Sequence, residues 1–210
     1  MLLSGKDCID LISAMRNTIE ANRDKLSALD AATGDGDHGV NLATAADLAL
    51  VEVQALDEPK PADVMKTVGT TLINDMGGAS GAIFGSFFRG GSRAIKEMTE
   101  IGLPEFVNFV EFGLIQVQKR GKAQPGDKTF VDALSPAVVA LQDAVQNDYS
   151  FPEAMAFAAK EACEGAEETA NMVAKFGRAK FMGERSIGHQ DAGATSMALI
   201  LTAWANFLNK

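Results

Sequence analysis

A helical periodicity that runs almost from end to end is the feature that most limits how this chain folds. Apolar residues recur every three or four positions, as in amphipathic helices with one buried face. We predict eight helices, at about residues 6–30, 38–58, 61–76, 79–90, 104–120, 129–145 and 152–172, with a last one containing Met197 and Leu208. Valine, isoleucine and threonine never alternate with polar residues long enough to predict a strand. The expected fold class is all-α.

The junctions between these helices alternate between two kinds. Short junctions lie near residues 58–60, 101–103 and 147–150. Glycine-rich junctions lie at 31–37, 77–78, 121–128 and 176–190. Because alternate junctions of an up-and-down helical array share an end, we expect all the glycine-rich junctions at one end of a single domain spanning residues 1–210.

The first glycine-rich junction, Asp-Ala-Ala-Thr-Gly-Asp-Gly-Asp-His-Gly at 30–39, carries the aspartates Asp30, Asp35 and Asp37. Three negative charges this close repel one another unless a cation lies between them. Hard oxygen ligands suit Mg²⁺ or Ca²⁺, but the spacing is not that of an EF-hand, since the twelfth position from Asp35 is Ala46. A carboxylate-bound Mg²⁺ usually takes phosphate oxygens as further ligands, which predicts a metal–nucleotide site. Alternatively, Asp37 only caps the second helix, which leaves Asp30 and Asp35 unexplained.

The motif Gly-Gly-Ala-Ser-Gly at 77–81 opens the fourth helix. Small residues there let a phosphate reach the backbone N–H groups of a helix N-terminus. The motif is not a P-loop, because no Gly-Lys-Ser/Thr follows it. Close helix packing through Gly81 and Gly85 is an equally good interpretation.

Basic residues fall in the two later glycine-rich junctions. Lys122 and Lys128 lie in the segment 121–129, which is either a phosphate-contacting loop or a solvated turn. Arg178 and Arg185 lie in the long segment 176–193, and such long loops in compact domains are usually functional or disordered. Both arginines are candidates to contact phosphate oxygens.

The two histidines, His38 and His189, are candidate bases or phosphoryl carriers. We favour a different interpretation, in which each makes hydrogen bonds that hold its loop. No serine or cysteine nucleophile motif accompanies them.

Composition excludes several function classes. A net charge of −9 and a pI near 4.7 argue against sequence-independent nucleic-acid binding. No apolar run reaches the roughly 18 residues that span a bilayer, so no membrane association is expected. Cys8 and Cys163 lie among apolar helical residues and are expected to be buried thiols without a disulfide. The N-terminus lacks a signal-peptide pattern, and we expect a cytoplasmic protein.

The junction motifs together resemble those of a known family. The segments 30–39, 77–81, Arg-Gly-Lys-Ala-Gln-Pro-Gly-Asp-Lys-Thr at 120–129 and 177–194 look like the nucleotide-binding L subunit of dihydroxyacetone kinase. The resemblance covers essentially the whole chain, with the four motifs in order. It implies an eight-helix antiparallel barrel that binds nucleotide at one end.

The resemblance also implies which residues form the site. Asp30, Asp35 and Asp37 would hold two Mg²⁺ ions that bridge the phosphates. The residues implied to line an ADP/ATP site are His38, Gly39, Val40, Asn41, Ala79, Ser80, Gly121, Phe130, Arg178, Asp191, Ala192 and Gly193. The chain departs from the family at Ala192 and Ala82, where proline is usual, and neither change removes a ligand.

The same resemblance implies partners. In the family, a histidine of a separate K subunit holds dihydroxyacetone covalently, and the L subunit delivers the γ-phosphate to it. A separate L chain resembles the phosphoenolpyruvate-dependent systems, in which an M subunit of the phosphotransferase type recharges bound ADP. Two alternatives stay open: a nucleotide-sensing module that docks on a transcription regulator, and an L-type subunit for another acceptor such as a tetrulose or a fatty acid. A homodimer is also possible from the sequence.

Overall fold

The computed structural model describes residues 1–209, and nine α-helices account for most of them. The helices are α1 (Gly5–Ala21), α2 (Arg23–Ala31), α3 (His38–Gln54), α4 (Pro61–Asp75), α5 (Gly78–Gly91), α6 (Leu103–Gly121), α7 (Phe130–Gln146), α8 (Phe151–Glu168) and α9 (Ala192–Leu208). Short 3₁₀ segments lie at Ser92–Ile95, Thr169–Asn171 and Ala179–Ser186. Two-residue strands, β1 (Leu3–Ser4) and β2 (Glu100–Ile101), pair antiparallel.

The single first helix predicted over 6–30 is wrong in one respect, because α1 and α2 are separated at Asn22. The side-chain amide of Asn22 donates to the carbonyl oxygen of Thr18 at 2.8 Å, and its φ of −111° lies outside the helical range. Local bonding of this kind lets asparagine end a helix where the apolar pattern continues. When α1 and α2 are taken together, eight helical members remain.

The eight members form a closed ring. From α3 onward each helix packs against its successor in the chain, α1 packs against α3, and α9 returns to pack against α1. Antiparallel neighbours and a last helix that meets the first are the properties of an up-and-down barrel. The all-α class and the barrel predicted from the sequence are confirmed.

Pro136 lies inside α7 without ending it. Proline has no N–H to give to the carbonyl of Asp132, one turn earlier. A Cβ at Gly165 of α8 would lie 2.2 Å from that oxygen and 3.0 Å from the proline ring. The glycine therefore lets α8 cover the place where the hydrogen bond is missing.

Aromatic side chains fill the middle of the barrel. Trp204 of α9 lies edge-on to Phe88 and Phe106, with ring centroids 6.0 and 5.8 Å apart. Its indole N–H donates to the carbonyl oxygen of Leu11 at 3.1 Å, so the buried polar atom is satisfied. Phe84, Phe87, Phe88 and Phe106 are also buried.

Two expectations from composition can be checked directly. Cys8 is buried, and burial raises the pKa of its thiol to about 12, whereas Cys163 is half-buried; neither forms a disulfide. Among the described residues, no helix has the length and apolar character needed to cross a bilayer.

Candidate metal and phosphate site

The three aspartates of the first glycine-rich turn converge. Asp30 lies in the last turn of α2, Asp35 lies within the turn, and Asp37 directly precedes α3. One carboxylate oxygen from each lies within 4.8 Å of the others. Asp30 is half-buried, and Asp35 and Asp37 are exposed. The set offers hard oxygen donors on an accessible surface, which fits Mg²⁺ better than a softer metal.

Asp30 also builds the turn that carries the other two. Its Oδ2 accepts hydrogen bonds from the N–H groups of Gly36 at 2.9 Å and His38 at 3.3 Å. Gly36 has a φ of +79°, a conformation that favours glycine. A Cβ at Gly34 would lie 2.4 Å from Oδ1 of Asp30. The glycines of this motif are therefore needed to bring the chain around the Asp30 carboxylate.

Four helices begin at this end of the barrel, and only two have side-chain caps. The Thr129 hydroxyl caps α7 and the Asp191 carboxylate caps α9. Asp37 makes no capping hydrogen bond at the start of α3, which removes the capping interpretation of that residue. Gly77 has no side chain with which to cap α5. Apart from the His38 N–H, which donates to Asp30, the first N–H groups of α3 and α5 thus lack a side-chain acceptor and are suited to an external anion.

The start of α5 is open as well as uncapped. Gly77 and Gly78 have φ values of +69° and +60°, and a Cβ built at either residue would meet no described atom within 4 Å outside its own local backbone and its chain neighbours. Ala79 is exposed and Ser80 is half-buried. Gly81, by contrast, packs against α4, since its Cβ would lie 2.7 Å from the carbonyl oxygen of Leu72. The motif therefore combines an open turn with close helix packing; the packing is observed, and the phosphate contact stays a prediction.

His38, the first residue of α3, has a structural role. Its Nε2 lies 2.8 Å from Oγ of Ser196 on α9, and its ring lies 5.9 Å from the ring of Phe84. Burial lowers the pKa of His38 and favours the neutral imidazole. The ring holds α3 against α9, as the loop-fixing interpretation expected. No local sequence pattern indicated that Ser196 is the partner of His38, because 158 positions separate the two residues.

The other residues of the first turn of α3 that the family resemblance assigns to the nucleotide site differ in exposure. Gly39 is buried against α2, where a Cβ would lie 2.0 Å from the carbonyl oxygen of Arg23. Val40 is half exposed and Asn41 is intermediate. Gly39 thus sets the contact between α2 and α3, and only Val40 and Asn41 present side chains toward solvent.

Arg178 connects the long α8–α9 loop to the acidic turn. Its guanidinium forms an ion pair with Asp35, although its side chain is 67% exposed. The sequence placed both residues near phosphate, and the structure brings them into contact. A guanidinium beside these carboxylates offsets part of their mutual repulsion and lies within reach of any anion bound there.

The starts of α7 and α9 lie side by side. Phe130 is buried and meets Phe84 edge-on, with ring centroids 4.8 Å apart. A Cβ at Gly193 would lie 3.8 Å from the backbone nitrogen of Phe130, and Ala192 is buried. Gly121, the last residue of α6, contacts Ile83 rather than these residues. Phe130, Ala192 and Gly193 therefore form a wall of the end region.

Asp191 caps α9 and is partly buried. Its carboxylate accepts from the N–H of Ala194 at 2.7 Å, and its own N–H donates to Oγ1 of Thr169 at 2.9 Å. Burial raises the pKa of Asp191 to about 6, and the nearby Asp132 acts in the same direction while Lys128 opposes it.

Lys128 is not a free phosphate ligand. It is only 2% exposed, and its ammonium donates to the carbonyl oxygens of Thr169 and His189, which lie at the two ends of the long loop. Burial lowers the pKa of Lys128. The neighbouring Asp127 binds Lys175 of the same loop at 2.7 Å. The segment 121–129 thus anchors the loop that carries Arg178, a role that neither sequence interpretation of Lys128 included.

A closed helical ring with converging carboxylates beside two uncapped helix starts defines a helical-barrel domain with a candidate site for a metal-bound phosphate at one end. Residues 32–206 match the protein family described as "DAK2 domain". The chain is 34% identical over 201 residues to the "PEP-dependent dihydroxyacetone kinase, ADP-binding subunit DhaL" of Escherichia coli (strain K12), covering 96% of each chain. It belongs to the DAK2 domain family, and the resemblance to the L subunit is confirmed.

Two larger proteins contain a similar domain. L-erythrulose kinase of Pectobacterium atrosepticum is 36% identical over 204 residues, which cover 94% of this chain and 34% of that protein. The crystal structure of the dihydroxyacetone kinase from C. freundii in complex with AMP-PNP and Mg²⁺ matches with a TM-score of 0.74 and 26% identity, covering 94% of this chain and 33% of that chain. The chain therefore spans about one third of these two proteins.

Replacing Lys128 with methionine should loosen the long loop. The Lys128→Met variant leaves the carbonyls of Thr169 and His189 without their charged donor, and we expect unfolding in urea to show a loss of about 2–4 kcal/mol. Amide exchange within 172–191 should also accelerate. Lys122→Met is the control, since Lys122 is exposed and shares a positive φ. Equal stability and exchange in the two variants would contradict the anchoring role.

Asp191 should make stability depend on pH with a definite sign. Because the folded-state pKa is raised from 3.8 to about 6, the folded protein holds this proton more tightly than the unfolded chain. The resulting stability is present below pH 3.8 and is lost as the pH rises through about 6. Relative to Asp191→Asn, which keeps an oxygen for the Ala194 N–H, the wild type should lose up to ~3 kcal/mol across that window. Urea unfolding at several pH values measures this loss, and the exposed Asp143→Asn variant is the control. Plots of unfolding free energy against pH that run parallel for the wild type and Asp191→Asn would refute the assignment.

Proposed function

We propose that this chain is the nucleotide-binding subunit of a dihydroxyacetone kinase, with ADP or ATP bound at the glycine-rich end of the barrel. One observation carries the proposal: the three aspartates converge beside two uncapped helix starts, in a chain that is 34% identical to the E. coli ADP-binding subunit. The AMP-PNP and Mg²⁺ complex of the C. freundii relative supports the same ligand chemistry.

The residues fit a divalent metal. Asp30, Asp35 and Asp37 would hold Mg²⁺, two ions by analogy with the family, through oxygen ligands of the preferred kind. Bound there, Mg²⁺ would neutralise charge on the β- and γ-phosphates. Asp30 is the fixed member of the set, because its Oδ2 already accepts two backbone hydrogen bonds, whereas Asp35 and Asp37 are exposed and free to adjust.

The chain's own groups would position the phosphates. The N–H groups at the starts of α3 and α5 would donate to phosphate oxygens, and Arg178 would exchange its contact with Asp35 for one with the nucleotide. His38, Phe130 and Asp191 would act indirectly, by holding α3, α7 and α9 in place. Phosphoryl transfer depends mainly on such positioning and charge neutralisation.

The acceptor would be supplied by a partner. In the transfer step, a hydroxyl oxygen of dihydroxyacetone forms a bond to the γ-phosphorus of ATP, and the bond from that phosphorus to the β-phosphate oxygen breaks. The hydroxyl proton goes to a base on a K-type subunit, which holds the acceptor. An M-type phosphotransferase subunit then returns a phosphoryl group from phosphoenolpyruvate to the bound ADP. A relay of this kind would operate in the cytoplasm.

L-erythrulose is a second candidate acceptor. The domain shared with L-erythrulose kinase is 36% identical to this chain. The acceptor pocket would lie on the partner, so the same nucleotide-binding chain suits either ketose.

Asp35→Asn tests the nucleotide site. The wild type should bind ADP in a Mg²⁺-dependent manner by calorimetry, and the variant should bind at least about tenfold more weakly because a charged ligand is lost. Asp24→Asn is the control, since Asp24 lies on α2 and its side chain is 91% exposed. Unchanged affinity in Asp35→Asn, or equal affinity with and without Mg²⁺, would contradict the metal assignment.

Reconstitution tests the transfer. With K-type and M-type subunits, phosphoenolpyruvate and catalytic ADP, we expect phosphorylation of dihydroxyacetone or L-erythrulose only when all three subunits are present, and loss of turnover with Asp35→Asn. Phosphorylation sustained by free ATP without the M-type subunit would contradict the phosphoenolpyruvate relay. Nucleotide binding without transfer to either ketose would instead indicate a sensing module.

A further inference from the structure

A groove lined by arginines lies on the outside of the barrel. It has a volume of about 300 Å³ and runs between α4, α5 and α6. Arg89 and the nearby Arg93 stand on one wall, and Arg120 and Gln116 of α6 stand on the other. Ser86 of α5 lies between them. A volume of this size is at the lower end of the range for small-molecule sites.

The three arginines are free of acidic partners. Within residues 1–209, no carboxylate oxygen lies within 4.0 Å of their guanidinium nitrogens, and these nitrogens donate no hydrogen bond. The arginines at positions 16, 23 and 178 all form ion pairs. In a chain with 28 acidic residues and a net charge of −9, three unpaired guanidiniums around one depression concentrate positive charge locally.

Small residues on α5 form the base of the groove. Ala82, Ser86 and Gly90 follow one another at four-residue intervals and share a face of the helix. A Cβ at Gly90 would lie 2.4 Å from the side chain of Gln116, so α6 approaches closely there. The groove is therefore a feature of tightly packed helices, and Arg89 and Arg93 rise along its edge.

The side chains that line the groove suit a phosphate group. A guanidinium presents a planar fork of N–H donors that matches the oxygens of a phosphate, and three of them exceed the charge of one phosphate monoester. The side-chain amide of Gln116 makes no hydrogen bond with the described residues and is available to a neutral part of a ligand. A concave site of limited volume favours a small molecule over a flat protein surface.

We propose that this groove between α5 and α6 binds a small phosphorylated anion, at a site separate from the acidic turn. The proposal does not rest on the proposed kinase function, because no residue of the metal and phosphate site lines the groove. Binding there needs no metal, since the arginines supply the positive charge. It follows that the ligand should bind in the presence of a chelator.

Calorimetric titration with glycerol 3-phosphate and phosphoenolpyruvate, in EDTA and about 20 mM ionic strength, tests the groove. We expect saturable binding of one molecule per chain. The double variant Arg89→Gln and Arg93→Gln should bind at least about tenfold more weakly. The control is Lys96→Gln with Lys119→Gln, which removes the same charge from exposed positions on the same side of the barrel but outside the groove.

Each outcome decides the proposal. Binding that survives in Asp35→Asn and in the lysine control, but is lost in the arginine variant, supports it. Equal loss in both double variants would show general charge attraction and overturn it, as would the absence of saturable binding. Tighter binding of a hexaglutamate peptide than of either phosphate ester would overturn it in favour of an acidic protein partner. Thermal unfolding of each variant verifies that these exposed substitutions leave the fold intact.

Discussion

Closure of the helical ring is the constraint on which the rest of the structure depends. Because successive helices of the ring run antiparallel and α9 returns to α1, the starts of α3, α5, α7 and α9 lie together around one end. That end carries the partial positive charge of four helix N-termini and the loops that join them. The acidic turn, the open glycines before α5 and the long loop meet there because of topology, although they are far apart in sequence.

The four helix starts at this end differ in how their N–H groups are satisfied. Thr129 and Asp191 satisfy the N–H groups of α7 and α9 within the protein, and these two starts form a buried wall with Phe130. The starts of α3 and α5 lack such caps. Unsatisfied N–H groups cost stability when no acceptor is present, so a helical protein that leaves them open gains when an anion binds. The uncapped pair faces solvent, where the proposed nucleotide would bind.

Much of this arrangement follows from local sequence patterns. The helical period predicted nearly every element, and the alternation of short and glycine-rich junctions predicted the shared end. What local patterns missed are contacts between distant positions. Lys128 reaches Thr169 and His189, 41 and 61 positions away, and His38 meets Ser196 across 158 positions. The break at Asn22 was missed for another reason, since its side-chain bond to Thr18 interrupts the helix without disturbing the apolar spacing.

The two anion-binding surfaces proposed for this acidic protein depend on different sources of positive charge. At the acidic turn, the carboxylates must first be neutralised by a divalent metal, and only the helix starts and Arg178 add protein charge. In the α5–α6 groove, the guanidiniums are part of the chain and have no carboxylate to compete for them. Exposed guanidiniums are screened by salt over a Debye length of about 10 Å, whereas a metal held directly by carboxylates is removed by chelation. A chelator should therefore abolish binding at the acidic turn and leave binding in the groove. Added salt should weaken binding in the groove and leave the metal-dependent binding, so each surface can be measured without the other.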